Sequence, residues 1–178
     1  MGSIFLSAGH GGADPGAVAN GRREADLAVD MRNMVAFYVE RAGVKYETDG
    51  KLKINDPLRR AVVQARKHTL AIEFHCNAAT SHASGVETLS APKDYKLGIA
   101  LCQVVADCLA IKNRGAKPEN AGQHHRLAFV QAGGIIMEML FITNKSDLAN
   151  YDKYKWLAAR SISEVLIKEI RYGKGASR

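Results

Sequence analysis

The sequence predicts a single α/β domain. Short β-prone runs bounded by glycine, such as Ile4-Phe5-Leu6, alternate along the chain with longer stretches whose apolar residues repeat at helical spacing. The 178 residues, 47% of them hydrophobic and 24% charged, are enough for one core. No internal repeat, long linker or low-complexity segment marks a second unit.

The first strand ends in Gly9-His10-Gly11-Gly12, a histidine wrapped by glycines. Glycine there implies backbone passing close to another group, and open α/β sheets place their ligands at such strand ends. Asp14-Pro15-Gly16 and Asn20-Gly21 punctuate a coil, and a helix is expected over 22–41, with Leu27, Met31, Met34, Val35 and Tyr38 on one side. Glu24 falls in its first turn, where the helix dipole alone already favours a carboxylate. A strand follows over 44–48. Asp56 as cap and Pro57 at the first position then open a helix reaching about residue 68, with Arg59, Arg60, Arg66 and Lys67 as a solvated face.

The run Leu70-Ala71-Ile72-Glu73-Phe74-His75-Cys76-Asn77 alternates from Glu73 onward. Glu73, His75 and Asn77 therefore share one side of a strand, while Phe74 and Cys76 share the other. A further strand is expected over 85–89 and a helix over 95–112. A polar, mobile segment follows over 113–125, then short strands over 126–130 and 135–141. Glu138 is the anomaly of the last strand: a single carboxylate in an apolar run must be paired, protonated or at the sheet's end. The chain closes with a helix over 153–170 and a basic tail at 173–178.

Lys and Arg number 25 against 18 Asp and Glu, a net charge of +7. That charge favours an anionic partner, whether nucleic acid, anionic lipid or an acidic wall polymer. No basic stretch interleaves aromatics and no reading helix is evident, so nucleic acid is not expected. No apolar run approaches the roughly 20 residues of a membrane span. The N-terminus lacks the basic-then-apolar layout of a secretion signal, so synthesis in the cytoplasm is expected. Cys76, Cys102 and Cys108 form no CxxC pair and suggest neither a disulfide framework nor a thiolate metal site.

Two imidazoles and one carboxylate, with a fourth position left to water, is a known recipe for catalytic zinc. His10, Glu24, His75 and Glu138 offer such a set, although their spacing is not local. At these residues the sequence resembles the zinc-dependent N-acetylmuramoyl-L-alanine amidases, which cut the peptide stem from the glycan of bacterial peptidoglycan. The resemblance runs from Ser7-Ala8-Gly9-His10-Gly11-Gly12-Ala13-Asp14-Pro15-Gly16-Ala17, through Glu24 and Phe74-His75-Cys76-Asn77-Ala78, to Glu138-Met139-Leu140-Phe141-Ile142-Thr143-Asn144.

The resemblance implies a twisted, six-stranded, mostly parallel sheet flanked by helices, and the six expected strands agree in number. It also implies a catalytic domain over 1–172, working as a monomer. His10, Glu24 and His75 would hold Zn2+ and Glu138 would be the catalytic carboxylate, moving a proton from an activated water to the leaving amine. Without a leader or wall-binding module in view, the chain looks like a phage lysis enzyme that reaches the cell wall after release. A zinc carboxypeptidase of stem peptides and a silent peptidoglycan-binding relative are the alternatives.

Two departures stand out. Glu73 occupies a place where the family usually has a small polar residue; it either orients His75 or faces solvent. Met139 is bulky where the family tends to be small. Asn77 either binds substrate or holds its loop. His68, His82, His124 and His125 match no ligand position and are expected on the surface, with His124 and His125 placed to touch substrate.

Overall fold

The computed structural model describes residues 2–11, 13–52, 54, 56–121 and 126–173. In chain order the elements are strands β1 (Ile4–Ala8), β2 (Val18–Ala19) and β3 (Arg22–Arg23), helix α1 (Glu24–Arg41), strand β4 (Tyr46–Thr48), helix α2 (Leu58–Ala65), and strands β5 (Leu70–Asn77) and β6 (Val86–Ser90). Helix α3 (Tyr95–Leu109), strand β7 (Asn113–Pro118), helix α4 (Ala128–Gln131), strand β8 (Ile135–Phe141) and helix α5 (Lys145–Tyr172) follow. Six strands form one sheet in the order β4-β1-β5-β8-β6-β7. All neighbours are parallel except β6 and β8, so the sheet is mostly parallel, as expected.

Side chains alternate across the sheet, and the two faces are covered unequally. One face packs Ile4, Leu6, Phe74, Met137 and Met139 against α1, α3 and α5, a core that also buries Tyr151, whose hydroxyl donates to the Leu27 carbonyl at 3.2 Å. The other face carries a smaller cluster, in which Phe5, Ala71, Leu89 and Ile136 pack against Ala61 and Ala65 of α2 and Phe129 of α4. These two helices are only eight and four residues long, so the strand ends beyond them stay uncovered.

Several boundaries differ from expectation. The sixth strand of the sheet is Asn113–Pro118, within the segment expected to be mobile; 126–130, expected as a strand, contributes the helix Ala128–Gln131 instead. Strand β7 is an edge, paired on one side only and half-covered, so hydrophobic alternation does not announce it. Asn20 and Gly21, with φ of 51° and 72°, make the turn of a small hairpin between β2 and β3, so α1 begins at Glu24. Helix α2 begins at Leu58 with Pro57 as its cap, and Asp56 pairs with Arg60 at 3.1 Å instead of capping. Helix α5 begins at Lys145, capped by the Asn144 side chain, which accepts from the backbone N–H groups of Ser146 and Asp147. His68 is not a surface residue: its ring lies 5.5 Å from that of Phe5 and its side chain is 4% exposed. His124, His125 and the tail residues 174–178 lie outside the described residues.

A candidate metal centre in an open cleft

His10 follows the end of β1, Glu24 opens α1, and His75 stands near the end of β5, three places well separated in sequence. Parallel pairing of β1 with β5 brings the two strand ends together, and the Ala17–Glu24 hairpin returns the start of α1 to the same spot. One ligand atom from each of His10, Glu24 and His75 lies within 4.8 Å of the others. The Glu24 Oε1 atom is 2.9 Å from His75 Nδ1 and 3.4 Å from His10 Nε2, and it also accepts the Cys76 N–H at 3.0 Å. Its Oε2 accepts the Ala17 N–H at 2.9 Å.

The surrounding glycines have a steric reason. A Cβ at Gly9 would overlap the His75 ring, and one at Gly16 (φ 63°) would come within 2.6 Å of both Glu24 and His10. His10 itself adopts a φ of 64°, left-handed backbone that costs a non-glycine residue about 1–2 kcal/mol and aims the ring inward.

Each imidazole has a carboxylate on its other side. Asp14 Oδ2 lies 2.8 Å from His10 Nδ1, leaving Nε2 toward Glu24. Glu73, buried at 3% exposure, lies 3.7 Å from His75 Nε2, leaving Nδ1 toward Glu24. Glu73 therefore does not face solvent. Hydrogen bonding to Glu24 raises the His10 imidazole above its ordinary value. Burial opposes the charged form of His75, but Glu24 and Glu73 outweigh it and raise that ring well above its ordinary value. Burial likewise works against the Glu24 carboxylate, yet hydrogen bonds from His10 and His75 hold it well below the usual range. The negative potential that raises the rings would also attract a cation placed between them. The donor set of two nitrogens and one carboxylate oxygen fits Zn2+.

Glu138 pairs in register with His75 on one side and Glu87 on the other, which puts the three on one face of the sheet in a row. Burial pushes the Glu138 carboxyl up to about 7, and its Oε2 atom is buried with no hydrogen-bond partner. Met139 points the other way, into the helix-covered core, so its bulk does not reach the cleft. Asn77 is engaged within the fold: its Nδ2 donates to Glu87 Oε1 at 3.1 Å and its Oδ1 accepts the Ala78 N–H at 3.0 Å. Glu87 is also held by Arg114 at 2.5 Å and Lys117 at 2.6 Å.

The histidines and carboxylates described above, with Asn77, line a cleft of about 890 Å3 that also takes in Leu89, Ile136, Phe129 and Arg126. Asp14, Glu87 and Arg126 were not among the sequence candidates. Asp14 carried a signal, four residues after His10 in the same glycine loop; Glu87 and Arg126 carried none without knowledge of which strands are neighbours. Among the described residues no helix is long and apolar enough to cross a membrane.

Comparison with known proteins agrees with this geometry. A candidate N-acetylmuramoyl-L-alanine amidase from Neisseria meningitidis, known as a crystal structure, is 46% identical, with a TM-score of 0.88 and 96% of each chain covered. The endolysin of Bacillus phage SPP1 is 29% identical over 98% of this chain and 70% of its own length. The uncharacterized protein YqiI of Bacillus subtilis is 27% identical over 90% of this chain and 81% of its own. Residues 4–168 match the N-acetylmuramoyl-L-alanine amidase family, and the chain belongs to that family.

Proposed function

We propose that this chain hydrolyses the amide between N-acetylmuramic acid and L-alanine in peptidoglycan, with His10, Glu24 and His75 holding Zn2+ and Glu138 moving the proton. The observation that carries the reading is the buried, unpartnered Glu138 oxygen beside a compact His–Glu–His donor set in an open cleft. Zinc, when bound, supplies Lewis acidity toward the scissile carbonyl and toward water.

The protein's own groups do the rest. His10 would offer Nε2 and His75 Nδ1, each oriented by the carboxylate on its far side, Asp14 and Glu73 respectively. The Glu138 carboxyl, in register with His75 and with one oxygen unpartnered, is placed both to accept a proton from the attacking water and to donate it to the departing amine of L-alanine. Asn77 and Glu87 stiffen the wall beside Glu138. The catalytic unit spans 1–172, with 173–178 as a basic tail, and it acts at the cell wall, where the net charge of +7 favours an anionic polymer.

Product analysis on purified peptidoglycan tests the activity. Free glycan strands with intact peptides are expected; trimmed peptides would make the chain a carboxypeptidase, and no change would make it a binder. Metal analysis tests the centre independently: His75→Ala should purify with far less zinc than the unaltered protein, and equal zinc in both would remove the ligand assignment.

A further inference from the structure

We propose that Arg126 determines specificity by binding a free carboxylate of the peptide on the leaving side of the scissile amide, an inference that rests on the amidase reading. The cleft is strongly acidic although the chain is basic. Glu24, Glu73, Glu87 and Glu138 crowd its metal end, and Asp14, Asp56 and Glu119 also line it. Among its described lining residues Arg126 is the one permanently cationic side chain.

Arg126 is exposed and, among the described residues, forms no ion pair with an acid. Its Nη2 donates to Gln131 Oε1 at 3.1 Å, a neutral acceptor. Gln131 is in turn held by Glu119 Oε1, while Glu119 Oε2 accepts the Leu127 N–H at 2.9 Å. The guanidinium therefore stands on a braced acceptor, with most of its five N–H donors left for a ligand. Arg114 and Lys117 differ, since both are committed to Glu87.

The position of Arg126 gives the substrate a direction. Ile136 lies two residues before Glu138 on the same face of β8, roughly 7 Å away along the strand, and Phe129 of α4 packs on that floor. Arg126 precedes α4 and lines the cleft beside Leu127, Ala128 and Phe129. A peptide extended at about 3.3 Å per residue passes the floor within two or three residues of the scissile bond. The glycan side cannot supply the anion there, because the only carboxyl of muramic acid is consumed in the amide that is cut. An uncross-linked peptide carries at least its C-terminal carboxylate free.

The test uses a soluble muramoyl-L-alanyl peptide with free carboxylates and the same peptide with them amidated. For the free acid, Arg126→Gln should raise KM by about tenfold or more, the scale of a lost charge-assisted pair, with kcat little changed. Arg126→Lys should recover part of the loss. The amidated peptide should not distinguish Arg126→Gln from the unaltered protein.

Calorimetric binding of both peptides to Glu138→Gln protein, with and without Arg126→Gln, gives the same comparison free of turnover. Equal KM for the free acid, or equal losses on both peptides, would overturn the assignment while leaving the amidase reading intact. Binding that depends on Arg126, without cleavage at the muramoyl bond, would overturn the amidase reading and leave the carboxylate site standing. Neither binding nor cleavage would overturn both.

Discussion

The two faces of the sheet are built from the same strands, yet one is a core and the other a site. Along β8, Met137 and Glu138 are neighbours that point in opposite directions. Met137 is fully buried under the long helices, where van der Waals contact and loss of water are the whole of its contribution. Glu138 emerges beyond the reach of α2 and α4, where a carboxyl keeps a free oxygen at the edge of a cleft. The difference is helix length: α1, α3 and α5 have 18, 15 and 28 residues, and α2 and α4 have eight and four. Full cover on one side supplies the rigidity that a partly uncovered side needs if polar groups are to be held ready there.

Glu138→Gln and Met137→Ala should separate the two faces most widely. The first keeps the shape and loses the proposed proton acceptor, so hydrolysis should fall by about 10²–10⁴ with folding and zinc content nearly unchanged. Retention of more than about a tenth of the activity would make Glu138 structural and turn attention to Glu73 as the base. The second should leave kcat per folded molecule close to normal while lowering unfolding stability by about 2–5 kcal/mol in a denaturant titration. If Met137→Ala instead abolished turnover at full stability, the division between the faces would fail.

A buried ion pair links the two faces and offers the next test. Arg32 of α1 is fully buried; it donates to Asp49 Oδ1 at 2.7 Å and to the Leu52 carbonyl at 2.9 Å. The other Asp49 oxygen accepts from Ser7 Oγ and the Ala8 N–H, both at 2.9 Å, just before His10. Arg32→Ala leaves a buried carboxylate without its cation and should cost about 3–5 kcal/mol. Because Asp49 braces the end of β1, this variant should also bind zinc less tightly in a chelator competition. Loss of stability with unchanged zinc affinity would mean that Asp49 braces β1 without its arginine.

Smaller effects come from charge on the open side. Burial works against the Glu87 carboxylate, but Lys117 and Arg114 outweigh it and hold the group below its ordinary value. A depressed carboxyl adds stability that is fully present above the unfolded value of about 4.3 and is lost as pH falls through the folded value. Urea midpoints should therefore decline on acidification below that range, and Glu87→Gln should flatten part of the decline; an unaltered slope would remove Glu87 from the account. Salt should act most weakly on the cleft and most strongly on encounter with the wall, since the screening length falls from about 8 Å at physiological salt to 3 Å at 1 M. Lysis of intact walls should drop with added salt far more than cleavage of a soluble muramoyl-peptide. Parallel losses on both would mean that the basic charge does not serve wall targeting.

Much of the helix-covered face was legible in the sequence, because a buried strand or helix repeats its apolar residues at a fixed period. Strand β5 was expected over its observed span, Leu70–Asn77, and its alternation alone separates Phe74 and Cys76 from Glu73, His75 and Asn77. Glycine around His10 correctly signalled close approach, and the partner proved to be the His75 ring. The open face was less legible. The expected count of six strands agreed with the sheet, but one expected member, 126–130, contributes to the helix Ala128–Gln131, and the edge strand β7 took its place. Asn113–Pro118 is paired on one side only and half-covered, so selection for burial leaves no periodic mark on it.

The sequence by itself determined the α/β class, the residues that face the core, and the small set of histidines and carboxylates from which a metal centre could be made. Local periodicity and residue chemistry suffice for these, because each depends on a few neighbours along the chain. Only the tertiary structure decided that Glu24 sits between two imidazoles, that Asp14 and Glu73 stand behind them, and that Glu138 and Glu87 share a row with His75. It also decided that a basic chain presents an acidic cleft with, among its described lining residues, one guanidinium. Those relations depend on strand order and register across long sequence separations, and no local pattern encodes which strand end meets which.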